Sequence, residues 1–204
     1  MKKSIQLVSV IAVFLIATAF KTGTLQELAI GSEIPKAGHK MMDVTGKEVS
    51  LADVKGENGL LVIFSCNTCP YVKLTEVRIK EVATLATTNK IGVIIVNSNE
   101  AQRDAEDSFE EMKKYAKAQF YNFSYVVDKN SQLANAFGAT RTPHIFLFDK
   151  KGLAYRGAID DNIKDANDAK EHFLKDAIIA LGAGKAVKTN STKSVGCSIK
   201  RVEE

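Results

Sequence analysis

The sequence predicts an α/β domain, a central mixed sheet with helices on both faces. Two unbroken apolar runs, "GLLVIFS" (59–65) and "IGVIIVNSN" (91–99), read as central strands covered on both sides, and each leads into a stretch with helical spacing. Late in the chain "HIFLFD" (144–149) and "LAYRGAI" (153–159) flank "KKG" and read as an antiparallel hairpin. Alternating early units imply parallel strands joined by crossover helices; the hairpin adds antiparallel ones.

The elements follow in order. Residues 20–39 read as an extended lead-in carrying Pro35. "MMDVTGKEVSLADVKG" reads as a short hairpin turning at Thr45-Gly46, then one helical turn near Leu51–Val54. From Pro70 the spacing of Val72, Thr75, Ile79, Val82, Ala83 and Ala86 predicts a helix with one apolar stripe. Leu74 and Val77 fall off that stripe, so the opposite face is expected to be partly covered. Asp104 to Phe120 reads as a charged amphipathic helix with Phe109, Met112, Ala116 and Phe120 inward and a Glu110–Lys114 pair outward. "FSYVVD" (123–128) is a third strand, and "SQLANAFG" (131–138) is a short helix stopped by Gly138. The last helix is expected from Asp165 to Leu181, closed by Gly182, with Asp165 or Asn167 as its cap. The core domain thus spans 40–182, and 183–204 is a tail holding Cys197.

The chain has 204 residues, enough for one domain with a sizeable core, and its composition, 45% hydrophobic and 25% charged, is that of a globular protein. Its start differs in kind. Lys2-Lys3 precedes an almost wholly apolar run from Ile5 to Phe20, and Ala17-Thr18-Ala19 offers the small residues signal peptidases read. Residues 1–19 therefore read as a signal peptide, with export to the periplasm or exterior; a retained inner-membrane anchor is the alternative, though the run is shorter than the roughly 20 residues a span needs. Loss of Lys2 and Lys3 would lower the formal charge from +4 to +2, and no basic surface for nucleic acid is evident.

The chemistry centres on "FSCNTCPY" (64–71). Cys66 follows a buried strand and precedes a helix, where free amides and the helix dipole favour a thiolate. Cys69, one turn on, can reach back to form a disulfide. A C-x-x-C pair in a strand–helix context points to a dithiol redox site. Half of a zinc site is the alternative, but structural zinc wants four ligands, and His39, His144 and His172 form no paired knuckle with Cys197. Three cysteines are too few for a disulfide scaffold. "TRTPHIF" places Thr142-Pro143 before the penultimate strand, a site for a cis proline whose backbone could pair with a substrate strand. "IDDNIKDANDAK" (159–170) lacks the spacing of a calcium loop.

These motifs resemble the thioredoxin superfamily. "CNTCPYVK", "RTPHIFLFD", "RGAIDD" and "GCSIK" are similar to the peroxiredoxin-like, redoxin-domain thioredoxin-family proteins of bacteria. The resemblance implies a thioredoxin-like fold, Cys66 as nucleophile, Cys69 as resolving thiol, and Thr142 and Pro143 at the substrate. It implies a thiol–disulfide oxidoreductase acting on protein disulfides or dithiols, without a cofactor. Two departures stand out. Leu60 occupies the position of the buried acidic residue of many thioredoxins, six before Cys66. Gly59 and Ile63 stand where peroxidatic peroxiredoxins carry proline and threonine, which argues against thiol peroxidase activity by that route. Cys197 is a possible resolving or relay thiol if the tail folds back. A copper chaperone using Cys66, Cys69 and His144 is the alternative from another class, since thiolates with imidazole suit copper.

Overall fold

The computed structural model describes residues 25–202; the expected signal segment lies outside them. Five strands form the main sheet in the order β5-β4-β3-β7-β8. These are β3 (Gly59–Ser65), β4 (Ile91–Asn97), β5 (Ser124–Val127), β7 (His144–Phe148) and β8 (Leu153–Gly157). β3, β4 and β5 are parallel; β7 runs antiparallel to both β3 and β8. β1 (Met41–Met42) and β2 (Glu48–Val49) form the expected early hairpin, and β6 (Arg141–Thr142) pairs with β9 (Cys197–Ser198) in a second ribbon.

All seven residues of β3 are buried, because its side chains feed two cores in alternation. Leu61 and Ile63 pack with α2 (Pro70–Thr88), α3 (Phe109–Ala118) and α5 (Phe173–Gly182) on one face. Leu60, Val62 and Phe64 pack with α1 (Leu51–Val54) and α4 (Gln132–Phe137) on the other. The fold is thioredoxin-like. Among the described residues no helix is long and apolar enough to cross a membrane.

The outer sides of the sheet are occupied. Along β8, Gly31 N–H donates to Leu153 O (2.8 Å) and Leu153 N–H to Ser32 O (2.8 Å); further on, Arg156 N–H donates to Asn190 O (3.1 Å) and Thr192 N–H to Arg156 O (3.0 Å). Beside β5, Val44 N–H donates to Tyr125 O (3.0 Å).

Several expectations need correction. The α2 stripe is buried as expected, but Leu74 and Val77 are exposed at 52% and 64%, so nothing covers the far face. α3 begins at Phe109, not Asp104, because Ser108 caps it by accepting Glu111 N–H while Asp107 turns inward. Its ion pairs are Glu110–Lys113 and Glu111–Lys114, one residue tighter than the expected pair. Phe120 lies beyond the helix, 86% exposed at φ +56°. α5 begins at Phe173 rather than Asp165. Residues 158–172 form a loop tied to α2 by Arg78, which bonds Asp160 (2.5 Å) and the carbonyls of Asn162 and Ile163.

Candidate active site: a dithiol held from two sides

β3 ends at Ser65, and the chain turns through Cys66–Cys69 into α2, whose first residue is Pro70. Pro70 suits the first helical position because its missing N–H would have no partner there. Cys69, not Cys66, is therefore the helix cap. Both sulfurs are buried, 2% and 3% exposed, and in contact with one another. All three cysteines are free thiols.

Thr142 touches both members of the pair. Its Oγ1 lies 3.5 Å from Cys66 Sγ, and its carbonyl oxygen accepts from Cys69 Sγ at 3.0 Å. The Thr142–Pro143 peptide is cis, as expected. The expected free edge for a substrate strand is absent, however. β9 already pairs with β6, placing Cys197 opposite Thr142. Cys197 thereby joins the Cys66–Cys69 cluster, with Tyr71 and Val72 beside it.

On the other side stands a carboxylate that sequence reasoning missed. Asp107 is fully buried and accepts three hydrogen bonds: from Asn67 N–H (2.8 Å), Asn97 Nδ2 (2.8 Å) and Asn99 Nδ2 (2.9 Å). Tyr125 Oη donates to Asn67 Oδ1 (2.8 Å), and Asn67 Nδ2 donates to Glu106 O (2.8 Å). Asn67, the first residue between the cysteines, is thus fixed through both its backbone and its side chain. A buried acid near the pair exists after all, but it comes from the loop before α3 instead of position 60. In the sequence Asp107 is one acid among several in "RDAEDSFEE", with no local mark.

His144 does not complete a metal site with Cys66 and Cys69. Its Nδ1 accepts from Thr140 N–H (3.4 Å), its ring packs on Phe146, and its Nε2 faces Glu27. Glu27 is taken by Arg156 at 3.0 Å. Burial, with Arg156 nearby, holds the His144 pKa down to about 3, so the ring is neutral. Among the described residues no three His, Cys, Asp or Glu side chains are grouped to hold a metal ion.

The Redoxin family matches residues 29–172. The chain belongs to the Redoxin family. Two solved structures share the architecture of this redoxin. A hypothetical protein from Sinorhizobium meliloti is 31% identical with a TM-score of 0.79, over 88% of this chain and 98% of that one. An uncharacterized conserved protein from Geobacillus kaustophilus is also 31% identical, with a TM-score of 0.80 over 86% and 94%. Thiol-disulfide oxidoreductase ResA of Geobacillus thermodenitrificans is 25% identical over 146 residues, 72% of this chain and 77% of its own length.

In this redoxin the two thiols interact as a pair, and the surroundings favour a thiolate at Cys69 over one at Cys66. Contact with Cys66 lowers Cys69 first, and the Cys197 thiol and the amides of Val72 and Cys197 add to it, holding Cys69 down to about 4 against its burial. One contact opposes this: the Thr142 carbonyl accepts the Cys69 S–H and so favours the protonated form. The donors outnumber that single acceptor. Contact with Cys69, then burial, then the Asp107 charge push Cys66 well up. Cys69 stands at the helix cap itself, with Cys66 just before it and in contact with it.

Proposed function

We propose that this thiol–disulfide oxidoreductase acts outside the cytoplasm on disulfides or dithiols of partner proteins through Cys66 and Cys69. The observation that carries the reading is the contact between two buried, reduced sulfurs that share Thr142 at the start of a helix. The membership in the Redoxin family supports it, and the basic start, apolar run and Ala17-Thr18-Ala19 support export.

The steps use the pair's shared proton. Cys69 thiolate takes the proton of Cys66, whose sulfur attacks one sulfur of the partner disulfide and expels the other as thiolate. Cys69 gives up that proton to the departing thiolate and then attacks Cys66 Sγ. The Cys66–Cys69 disulfide forms and the partner leaves with one thiol and one thiolate, which takes its proton from solvent. The reverse sequence oxidises a partner dithiol with the same atoms. With β6 occupied, a groove of about 680 Å³ lined by Asn67, Thr68, Glu106, Lys114, Tyr115 and Ala118 lies beside the turn.

Trapping tests this. With a disulfide-bonded protein in excess, Cys69→Ser should accumulate a mixed disulfide at Cys66, and Cys66→Ser should accumulate none. Trapping by Cys66→Ser instead would assign attack to Cys69, and trapping by neither would end the dithiol reading. Cell fractionation that left the chain in the cytoplasm, starting at Met1, would end the export reading.

A further inference from the structure

Cys197 reaches the dithiol because the tail is clamped on both sides of it. Upstream, Thr192 Oγ1 accepts Ala158 N–H (3.0 Å) and bonds Tyr155 Oη (2.8 Å). Downstream, Ile199 is 5% exposed in the core beside Phe64 and Phe137, and its N–H donates to Thr140 O (3.1 Å). Lys200 continues the tie, donating N–H to Asn99 Oδ1 (2.9 Å) and accepting Ala101 N–H (2.9 Å). Between the clamps Gly196 lies so close to Thr142 that a Cβ there would sit 2.1 Å from its carbonyl oxygen. The chain has therefore fixed its own strand on the edge a substrate strand would use, with a cysteine opposite Thr142.

The contacts of Cys197 centre on Cys69: its amide and its thiol both approach that sulfur, while the Tyr71 amide also bonds the Cys197 thiol. Cys69 thus stands between two candidate partners, Cys66 and Cys197.

We propose that Cys197 is a third redox thiol, which exchanges with the Cys66–Cys69 disulfide at Cys69. The inference rests on the dithiol reading above. Cys197 thiolate attacks Cys69 Sγ, the Cys69–Cys197 bond forms, the Cys66–Cys69 bond breaks, and Cys66 leaves as thiolate. One disulfide is consumed and one made, so no outside oxidant or reductant enters. The proton given up by Cys197 ends on Cys66. The result is an oxidised chain whose Cys66 is again free. In the reduced protein burial first, then contact with the charged Cys69, push the Cys197 thiol up to about 11. The second cause vanishes once Cys69 is in a disulfide while the burial remains, so the Cys197 thiol is less hard to ionise at the stage where a nucleophile is needed.

Disulfide mapping decides the matter. Trypsin places Cys66 and Cys69 together in 56–73 and Cys197 in 194–200. The full-length protein is oxidised with oxidised glutathione, its remaining thiols are capped, and the peptides are separated by mass. Wild type should yield 56–73 joined to 194–200 beside the internally bridged 56–73. The joined peptide should persist in Cys66→Ser, whose free thiols should fall from two to none, and disappear in Cys69→Ser. A wild type holding only the internal bridge overturns the proposal, as does a folded Cys66→Ser with both thiols still free. A joined peptide that persists in Cys69→Ser and vanishes in Cys66→Ser also overturns it, by assigning the exchange to Cys66. Cys197→Ser separates the two readings. It should still close the Cys66–Cys69 bridge; if it does not, the dithiol reading itself has failed.

Discussion

The loop 97–107 and the tail 192–201 both hold the four-residue turn and are tied to each other through Lys200, Asn99 and Ala101, yet they work by different means. The loop works with side chains: three donors converge on Asp107, and Tyr125 secures Asn67 from below. The tail works with backbone: β9 pairs with β6, and Ile199 anchors it in the core. A side-chain network is only as good as each of its members, since every polar group in it is buried and needs its partner. A backbone ribbon with one apolar anchor tolerates many side chains and depends on shape.

The largest effect is expected from breaking the loop side. Asp107→Ala strips Asn67, Asn97 and Asn99 of their shared acceptor and should cost about 4 kcal/mol in urea unfolding. A loss under 1 kcal/mol would mean that water replaces the carboxylate.

Next comes a pH test on the tail side, where Thr140 both receives Ile199 N–H and donates to His144. His144 has its folded pKa lowered to about 3, below the unfolded value of about 6.5. Its neutral form is needed, so its contribution is full above about pH 6.5 and is lost as pH falls towards 3. Wild type should lose on the order of 3 kcal/mol from this group across that window, and His144→Phe should lack this slope in the urea midpoint.

Ile199→Ala should cost about 2 kcal/mol and speed alkylation of Cys197 well before it speeds that of Cys66. Equal acceleration at both cysteines would show that the tail does not move by itself. The smallest effect lies outside both arms. Phe120 sits exposed at φ +56°, so Phe120→Gly should gain about 0.5–1 kcal/mol in thermal unfolding and leave thiol alkylation unchanged.

The same contrast explains what could be read from the sequence. β3, α2 and the C-x-x-C turn were legible because periodicity and punctuation are local: a seven-residue apolar run, a proline, then a stripe ending at Ala86. The loop 158–172 misled because its helix-compatible length hides polar side chains that serve the backbone elsewhere. Asn162 Oδ1 takes the N–H of Lys164 and Asp165, and Asp165 Oδ1 takes that of Asn167. Asp107 and the β9 register were illegible for a different reason. Each meets the dithiol only through a group 40 or more residues away, Asn67 for one and Thr142 for the other. The return of Cys197 to the dithiol was expected only as a possibility of the tail, and its place opposite Thr142 came from coordinates.

The covering of β8 by residues 31–32 and 190–192, with Val44 alongside β5, has a consequence for life in a crowded compartment. A sheet whose rims are both shielded offers no template on which another chain can grow. Each chain segment laid along a rim therefore takes up backbone groups that a foreign strand would otherwise pair with.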